Sequence, residues 1–456
     1  MKLIGIFTFS WIFLMSSQMD CFGQTNQSGM KRIASSPLQS DFKMLRDSLQ
    51  KFHPGIYRYR SQKELNRIFD SCFNSIKDSM TIPEFYALTS YAIASMEDGH
   101  SNCRLPRLVA DEFMSNAGVF PAMILFINAH AYIYCCKENP TLSGNELLSI
   151  NNQPLDKIIQ KLFSFIPSDA GISSRKNWEL PEYFHLLYYV VFGDQKEFAI
   201  TYRSADGQTG KTMLHSDNIR NIFCNNPFPQ PDQFLTFSYR SGNIAVLQIK
   251  TFFDGFLERT GENFEKFLDS AFNDIKKKGT KKLLIDIRRN QGGNDGNGAL
   301  LYSYLTANNF SYYKSLESST KKFTKDDHAQ LQIQMAQKNN FSGKVYILTD
   351  GRSFSASSEF ASIAKTNQRA IFLGEENGGG YYGNTSGNDL SLVLPNSQIS
   401  CRIPLVKYTV DVKNLPNGIM GVIPDYPLYP SITDIIEKKD HVLDRSIQIM
   451  QSHQFH

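Results

Sequence analysis

The sequence predicts an α/β protein of several domains, with a helical N-terminal part, a β-rich middle and a crossover sheet in its second half. Three observations carry this. Apolar residues recur at helical spacing through residues 40–97. From about residue 118 the pattern changes to short β-branched and aromatic runs separated by Gly, Asn and Pro turns. Beyond residue 235, apolar strand-like runs alternate with helical stripes, the pattern of strands joined by crossover helices.

The chain has 456 residues, enough for two or three domains, and its 41% hydrophobic and 20% charged residues are those of ordinary globular material. A net charge of +4 over this length does not predict nucleic-acid binding. Residues 1–23 read as a secretory signal, with Lys2 followed by an apolar run over 3–15 that is too short to span a bilayer. Cys21-Phe22-Gly23 places small residues for cleavage before Gln24, and Asp20 disfavours a lipid anchor on Cys21. An exported chain with no stable membrane insertion after signal removal, periplasmic or extracellular, is therefore expected. Six cysteines remain (Cys72, Cys103, Cys135, Cys136, Cys224 and Cys401); their spacings give no disulfide framework, so mostly buried thiols are expected, with room for one bridge.

Residues 24–39 are polar and read as a linker. A helix is predicted from Asp41, capped by Ser40, with Phe42, Leu45, Leu49 and Phe52 on one face and a stop at His53-Pro54-Gly55. A second carries Leu65, Ile68, Phe69, Cys72 and Ile76. A third follows Thr81 with Pro83 in its first turn and ends before Gly99, leaving His100 on a loop. Together 40–117 form an N-terminal helical domain.

Residues 118–218 form a β module. Its segment GNELLSINNQPL, a polar turn, a strand, an Asn-Asn turn and a helix over 155–163, resembles the centre of PDZ domains, and a hairpin is predicted about Asp206-Gly207. The resemblance implies peptide capture at a sheet edge.

Residues 219–456 hold the α/β core and a C-terminal helix from about Asp440. Strands are predicted at IAVLQI (244–249), KLLIDI (282–287), VYILT (345–349) and 370–373, with a helical stripe on Phe264, Leu268, Phe272 and Ile275 and a hairpin over 390–410. The strand at 345–349 runs into DGRSFSASSEF, which sets Ser355 at or near a helix N-terminus. There serine serves as a nucleophile or simply as a cap.

Three loops bring His100, Gly292-Gly293 and Ser355 out of apolar elements. Acyl transfer needs a nucleophile, a base and oxyanion donors. Ser355 supplies the first and neutral His100 the second. The N–H groups of Gly292 or Gly293, and of Ala356, supply the third. The glycine spacing of QGGNDGNG does not match a dinucleotide loop, and no His or Cys pair has metal-ligand spacing, so no cofactor is expected.

LLIDIRRNQGG resembles a segment of the C-terminal-processing (tail-specific) and tricorn-core serine peptidases. SFSASSEF resembles their nucleophile turn, GEENGG their following glycine loop, GVIPD their C-terminal motif, EDGHS their histidine loop, and LQKFHPGIYRY the start of secreted bacterial members. The family implies a crotonase-like peptidase core, a polypeptide substrate, Ser355 as nucleophile (rather than Ser353, Ser357 or Ser358) and oxyanion N–H groups from Gly292-Gly293 and Ala356. Processing-type members place a lysine in the loop that here reads NGGGYYGN, with Gly380 at that position. Lys365 and Lys407 are the nearest others. The chain is therefore similar to the histidine-dependent, tricorn-like branch, with His100 as base and a basal limb near pH 6.5, about the ordinary imidazole value. The branch's supporting glutamate is replaced by Gly418, leaving Asn417, Asp411 or Asp425 as third residue. A catalytically silent peptide-binding protein and an esterase are the rival readings.

Overall fold

The computed structural model describes residues 32–222, 224–415 and 420–452. The signal sequence at 1–23 and the candidate Asn417, with Gly418, lie outside the described residues. Among the described residues no helix is long and apolar enough to cross a membrane.

The second half of the chain is a six-stranded sheet. Its strands are Leu235–Arg240, Ile244–Ile249, Lys282–Asp286, Lys344–Thr349, Ala370–Gly374 and Tyr426–Pro427, side by side in that order. The first pair is antiparallel and the rest parallel. Parallel strands are buried on both faces, which is why they read as unbroken apolar runs. Side chains alternate between two cores. Ala245, Leu247, Leu283, Ile285, Val345 and Ile347 meet residues of the helices Phe264–Lys277, Asp295–Ser303 and Ala356–Thr366. Val246, Leu284, Tyr346 and Leu348 meet Val442, Leu443, Ile447 and Met450 of the C-terminal helix His441–Ser452.

Asp286, the acid of the DIRRN run, is fully buried beneath this sheet end. Arg288 grips it with two bonds, Nε to Oδ1 at 3.0 Å and Nη2 to Oδ2 at 2.8 Å, and Lys250 Nζ adds a third at 3.0 Å. Burial alone would raise this carboxyl, but the two cations hold it far below the usual carboxylate range.

The first helix, Ser35–Phe52, begins ahead of the predicted start, so Ser40 is interior and 35–39 are helical rather than linker. Asp41 is not part of a cap. It is fully buried and its carboxylate accepts the N–H groups of Asn396 at 3.1 Å and Ser397 at 2.7 Å. That contact shows why the boundary was misread: the N-terminal helices do not close their own core. Leu394, Ile399, Cys401 and Ile403, from the hairpin Leu390–Val393 and Ser400–Ile403, pack among Phe42, Leu45, Phe69 and Phe85. The strand Ser400–Ile403 also pairs with Asn102–Arg104, just beyond His100. The predicted hairpin over 390–410 ends there, because Val406–Val410 pairs instead with Tyr313–Glu317 and Thr385–Ser386.

The middle part is an antiparallel sheet of Ala122–Ile127, His130–Cys136, Glu146–Ile150, Glu197–Arg203 and Thr209–His215, with the short Gln153–Pro154 beside it. Asn151 and Asn152 both take positive φ, 50° and 62°, as a two-residue hairpin turn requires. Two helices cover the sheet. Leu155–Phe163 matches the sequence reading, whereas Ser173–Phe192 was not anticipated. Pro181 inside it, and apolar side chains with no clean stripe, hide that helix. A disulfide joins Cys135 to Cys224, while Cys72, Cys103, Cys136 and Cys401 are free and buried.

Candidate active site

The strand Lys344–Thr349 delivers a tight turn to the helix Ala356–Thr366. Asp350 fixes that turn, accepting the N–H groups of Arg289 at 2.9 Å and Arg352 at 3.0 Å. Ser353 Oγ donates inward to the Ile287 carbonyl at 2.8 Å, Ser358 Oγ donates to the Ser353 carbonyl at 2.8 Å, and Ser357 is fully buried. Ser355 differs from all three. It sits at φ 55° and ψ −130°, a strained conformation for a side-chain-bearing residue, and makes no capping bond. A serine that served only as a helix cap would show the opposite pattern.

His100 faces it, with Nε2 3.1 Å from Ser355 Oγ. The loop that carries His100 is built around Asp98. Asp98 Oδ1 accepts the N–H groups of His100 at 3.1 Å and Ser101 at 2.9 Å, and the Ser101 hydroxyl at 3.0 Å. Behind it, His53 Nε2 lies 3.5 Å from Asp98 Oδ2 and 3.1 Å from Ser101 Oγ. The Gly55 N–H donates to His53 Nδ1 at 3.2 Å, which leaves the His53 proton on Nε2, toward Asp98. The predicted helix stop His53-Pro54-Gly55 is thus also the support of the His100 loop. Gly99 does not end the helix by its φ, since the left-handed residue is Glu97 at φ 59°. Gly99 is required because a Cβ there would come within 2.9 Å of the Phe354 ring. That ring stacks on His100 with centroids 4.5 Å apart, and the Arg175 guanidinium lies 4.2 Å from its centroid.

Burial pushes the His100 imidazole down to about 3, against the opposing pull of Asp98. The ring is therefore neutral through the neutral range, and the expected limb near pH 6.5 does not belong to it. Asp98 is lowered as well. Burial alone would raise it, but the His53 and His100 rings and the Ser101 hydroxyl hold it well below the usual carboxylate range. His100 Nδ1 is buried without a hydrogen-bond partner among the described residues.

The glycine turn closes the other side. A Cβ on Gly292, at φ 90°, would lie 2.8 Å from Ser355 Cβ and 2.9 Å from the Ala356 nitrogen. The Gly292 N–H itself is taken, donating to Asn290 Oδ1 at 2.9 Å, and Asn290 is anchored by its Nδ2 on the Ile249 carbonyl at 3.0 Å. The N–H groups of Gly293 and Ala356 have no acceptor among the described residues.

A cleft of about 640 Å³ opens over these groups, lined by His100, Gly293, Ser355, Arg175, Phe253 and Arg402 among others. No lysine lines it. Lys365 pairs with Asp425 at 2.8 Å and Lys407 with Glu317 at 2.6 Å. At Gly380 a Cβ would meet Tyr59 Oη at 2.3 Å, so a lysine has no room there. Of the proposed third residues, Asp425 is spent on the Phe372 N–H and Lys365, at the far end of the serine helix, and Asp411 does not line the cleft. Glu359 does line it, one turn into that helix. It accepts from Tyr313 Oη at 2.6 Å and Asn384 Nδ2 at 2.7 Å, and burial, then the charge of Asp295, raises it to about 8.

Sequence reasoning missed several of these residues. Asp98 stood unweighed beside His100, and Asn290 was noticed only as part of a motif. Arg175 carried no signal at all, because it reaches the site on the unanticipated helix of the middle module.

The model of the family described as Peptidase family S41 matches residues 243–428. Solved structures are similar to the chain over most of its length, two of mature CPAF among them. Mature CPAF complexed with lactacystin has a TM-score of 0.63 at 12% identity, covering 91% of this chain and 98% of its own. Mature CPAF has a TM-score of 0.62 at 14% identity, covering 90% and 96%. At those identities the likeness is one of fold. No curated protein matches the chain. The segment 243–428, which holds Ser355 and the glycine turn, is similar to peptidase family S41, in line with the tail-specific and tricorn-type serine peptidases that the motifs resemble.

Proposed function

We propose that the protein is an exported serine endopeptidase that cleaves extended polypeptides through an acyl-enzyme, with Ser355 as nucleophile and His100 as general base. The observation that carries this is the Ser355 hydroxyl, strained, uncapped and 3.1 Å from His100 Nε2 beside a glycine turn. The neutral ring accepts the Ser355 proton at Nε2 as Oγ attacks the scissile carbonyl. The oxyanion forms between Ala356 and the glycine turn, where the free N–H belongs to Gly293, since Asn290 occupies that of Gly292. His100 then returns the proton to the leaving amine, and a water repeats the sequence to release the acyl group. The buried Asp98 carboxylate stabilises the imidazolium that forms, although it holds the His100 backbone rather than the ring. With Asp98 and His53 in that supporting role, the reading does not need an acid at residue 418.

The finer parts of the reading rest on sequence. The N-terminal 23 residues support export, and the GNELLSINNQPL segment supports a PDZ-like reading of the middle module, with peptide binding at its sheet edge. A digest of casein and a peptide library with wild type beside Ser355→Ala tests the function. Cleavage by the wild type alone supports it. Equal cleavage by both, or turnover of esters without peptides, overturns it.

A further inference from the structure

Asp169 is a further buried acid beside the site, and the mechanism above leaves it unused. It is fully buried in the short turn Asp169–Gly171, between the two helices of the middle module. Oδ1 accepts the Gly99 N–H at 2.8 Å, and Oδ2 accepts the Gly380 N–H at 3.1 Å. Gly99 directly precedes His100. Gly380 follows Gly379, which lies so close to Ser358 on the serine helix that a Cβ would fall 2.5 Å from its hydroxyl. The next residue along, Ala170, donates its N–H to the Glu97 carbonyl at 3.0 Å. One carboxylate of the middle module therefore joins the loop of the base to the loop packed on the nucleophile's helix.

We propose that Asp169 is a positioning residue: ionised, it clasps the two loops together and so sets His100 at hydrogen-bonding distance from Ser355. This rests on the reading of Ser355 and His100 as nucleophile and base. A carboxylate accepts on both oxygens, whereas a carboxylic acid carries a proton on one and turns a donor toward one of the two N–H groups. Protonation therefore opens one side of the clasp.

The charged and titratable groups around it are few. Arg58 and Tyr59 face it from the segment after His53, Asp98 and His100 from the histidine loop, and Glu97, paired with Arg60 at 2.6 Å, lies beneath the turn. On the glycine loop Tyr381 follows Gly380, and burial raises its phenol, so it stays neutral. Burial, then the charge of Asp98, raises the Asp169 carboxyl to about 6, while the two N–H groups and Arg58 pull it down. Tyr59 stays neutral, burial raising its phenol, and Asp98 stays ionised and His100 neutral through this range. The limb of the rate profile near pH 6 then belongs to Asp169 and not to the base.

The test is kcat/KM from about pH 4.5 to 8.5 for wild type and Asp169→Asn. The wild type is expected to rise to a plateau above about pH 6. Asp169→Asn should keep its KM, lose on the order of 10²-fold in kcat at neutral pH, as for a misplaced catalytic group, and show no limb. A limb that persists in Asp169→Asn overturns the clasp. If that variant does not fold, the wild-type limb decides on its own. A carboxyl limb stays in place on warming, and an imidazole limb falls, which would overturn the proposal. Ser355→Ala separates the two claims. If it is active, the nucleophile reading fails and the clasp with it. If it is inert while the limb survives in Asp169→Asn, only the clasp fails.

Discussion

Gly292 lies directly against Ser355, closer than any side chain would allow: a Cβ on Gly292 would sit 2.8 Å from Ser355 Cβ. Its φ of 90° is also a conformation that side-chain-bearing residues rarely adopt. Gly292→Ala is therefore expected to displace the turn from the serine. Loss of the oxyanion geometry should lower kcat by about 10²–10³-fold, the usual effect of removing one such donor. Steady-state kinetics beside a thermal melt checks this, and a variant with normal kcat would show that the turn does not serve the reaction.

His100→Ala should cost on the order of 10²–10⁴ in rate, the range for a positioned general base. Because burial takes its imidazole down to about 3, loss of its basic form is a strongly acidic event. A histidine base lowered in this way stays deprotonated as pH falls through 6. The pH profile checks the assignment, and a limb near 6.5 that falls on warming would contradict the burial argument.

Lys365→Ala and Lys407→Ala should retain wild-type kcat. Each lysine is paired with a carboxylate, Asp425 and Glu317, away from the cleft. Loss of activity in either variant, with the fold intact, would reopen a lysine base.

Asp286→Asn should be severely destabilising. The substitution leaves Lys250 without its carboxylate in a buried place and Arg288 with Asp440 alone, and breaking such a cluster costs about 3–5 kcal/mol. Denaturant unfolding measures it, and a change below about 1 kcal/mol would show that Asp440 compensates Arg288 alone.

The Cys135–Cys224 bridge closes a loop with a sequence separation of 89. Reducing it should lower stability by about 2–4 kcal/mol. Thermal melts with and without reductant check this, and coincident melts would contradict it.

The parts of the fold legible in the sequence were those with a local period. The strands Ile244–Ile249 and Glu197–Arg203, and the helices Leu155–Phe163 and Phe264–Lys277, follow from alternation or a stripe that one segment carries alone. Ser355, His100 and the glycine turn were visible because each sits where an apolar element stops. What failed depended on distant partners. Asp41 looked like a helix start because its acceptor role is filled by Asn396 and Ser397, 355 and 356 residues away. Gly99 looked like a helix stop because nothing local reveals the Phe354 ring beside it. His53 looked like punctuation because its partner, Asp98, lies on another helix end. Asp169 and Arg175 were invisible, since the helix that follows the first and carries the second contains a proline and no apolar stripe.

The most direct test of the central claim is labelling with a serine-directed fluorophosphonate, with the adduct mapped by mass spectrometry. One adduct, on Ser355, is expected in the wild type, with its loss or strong slowing in His100→Ala. An adduct on Ser353, Ser357 or Ser358, or peptide cleavage by a protein whose Ser355 never labels, would contradict it.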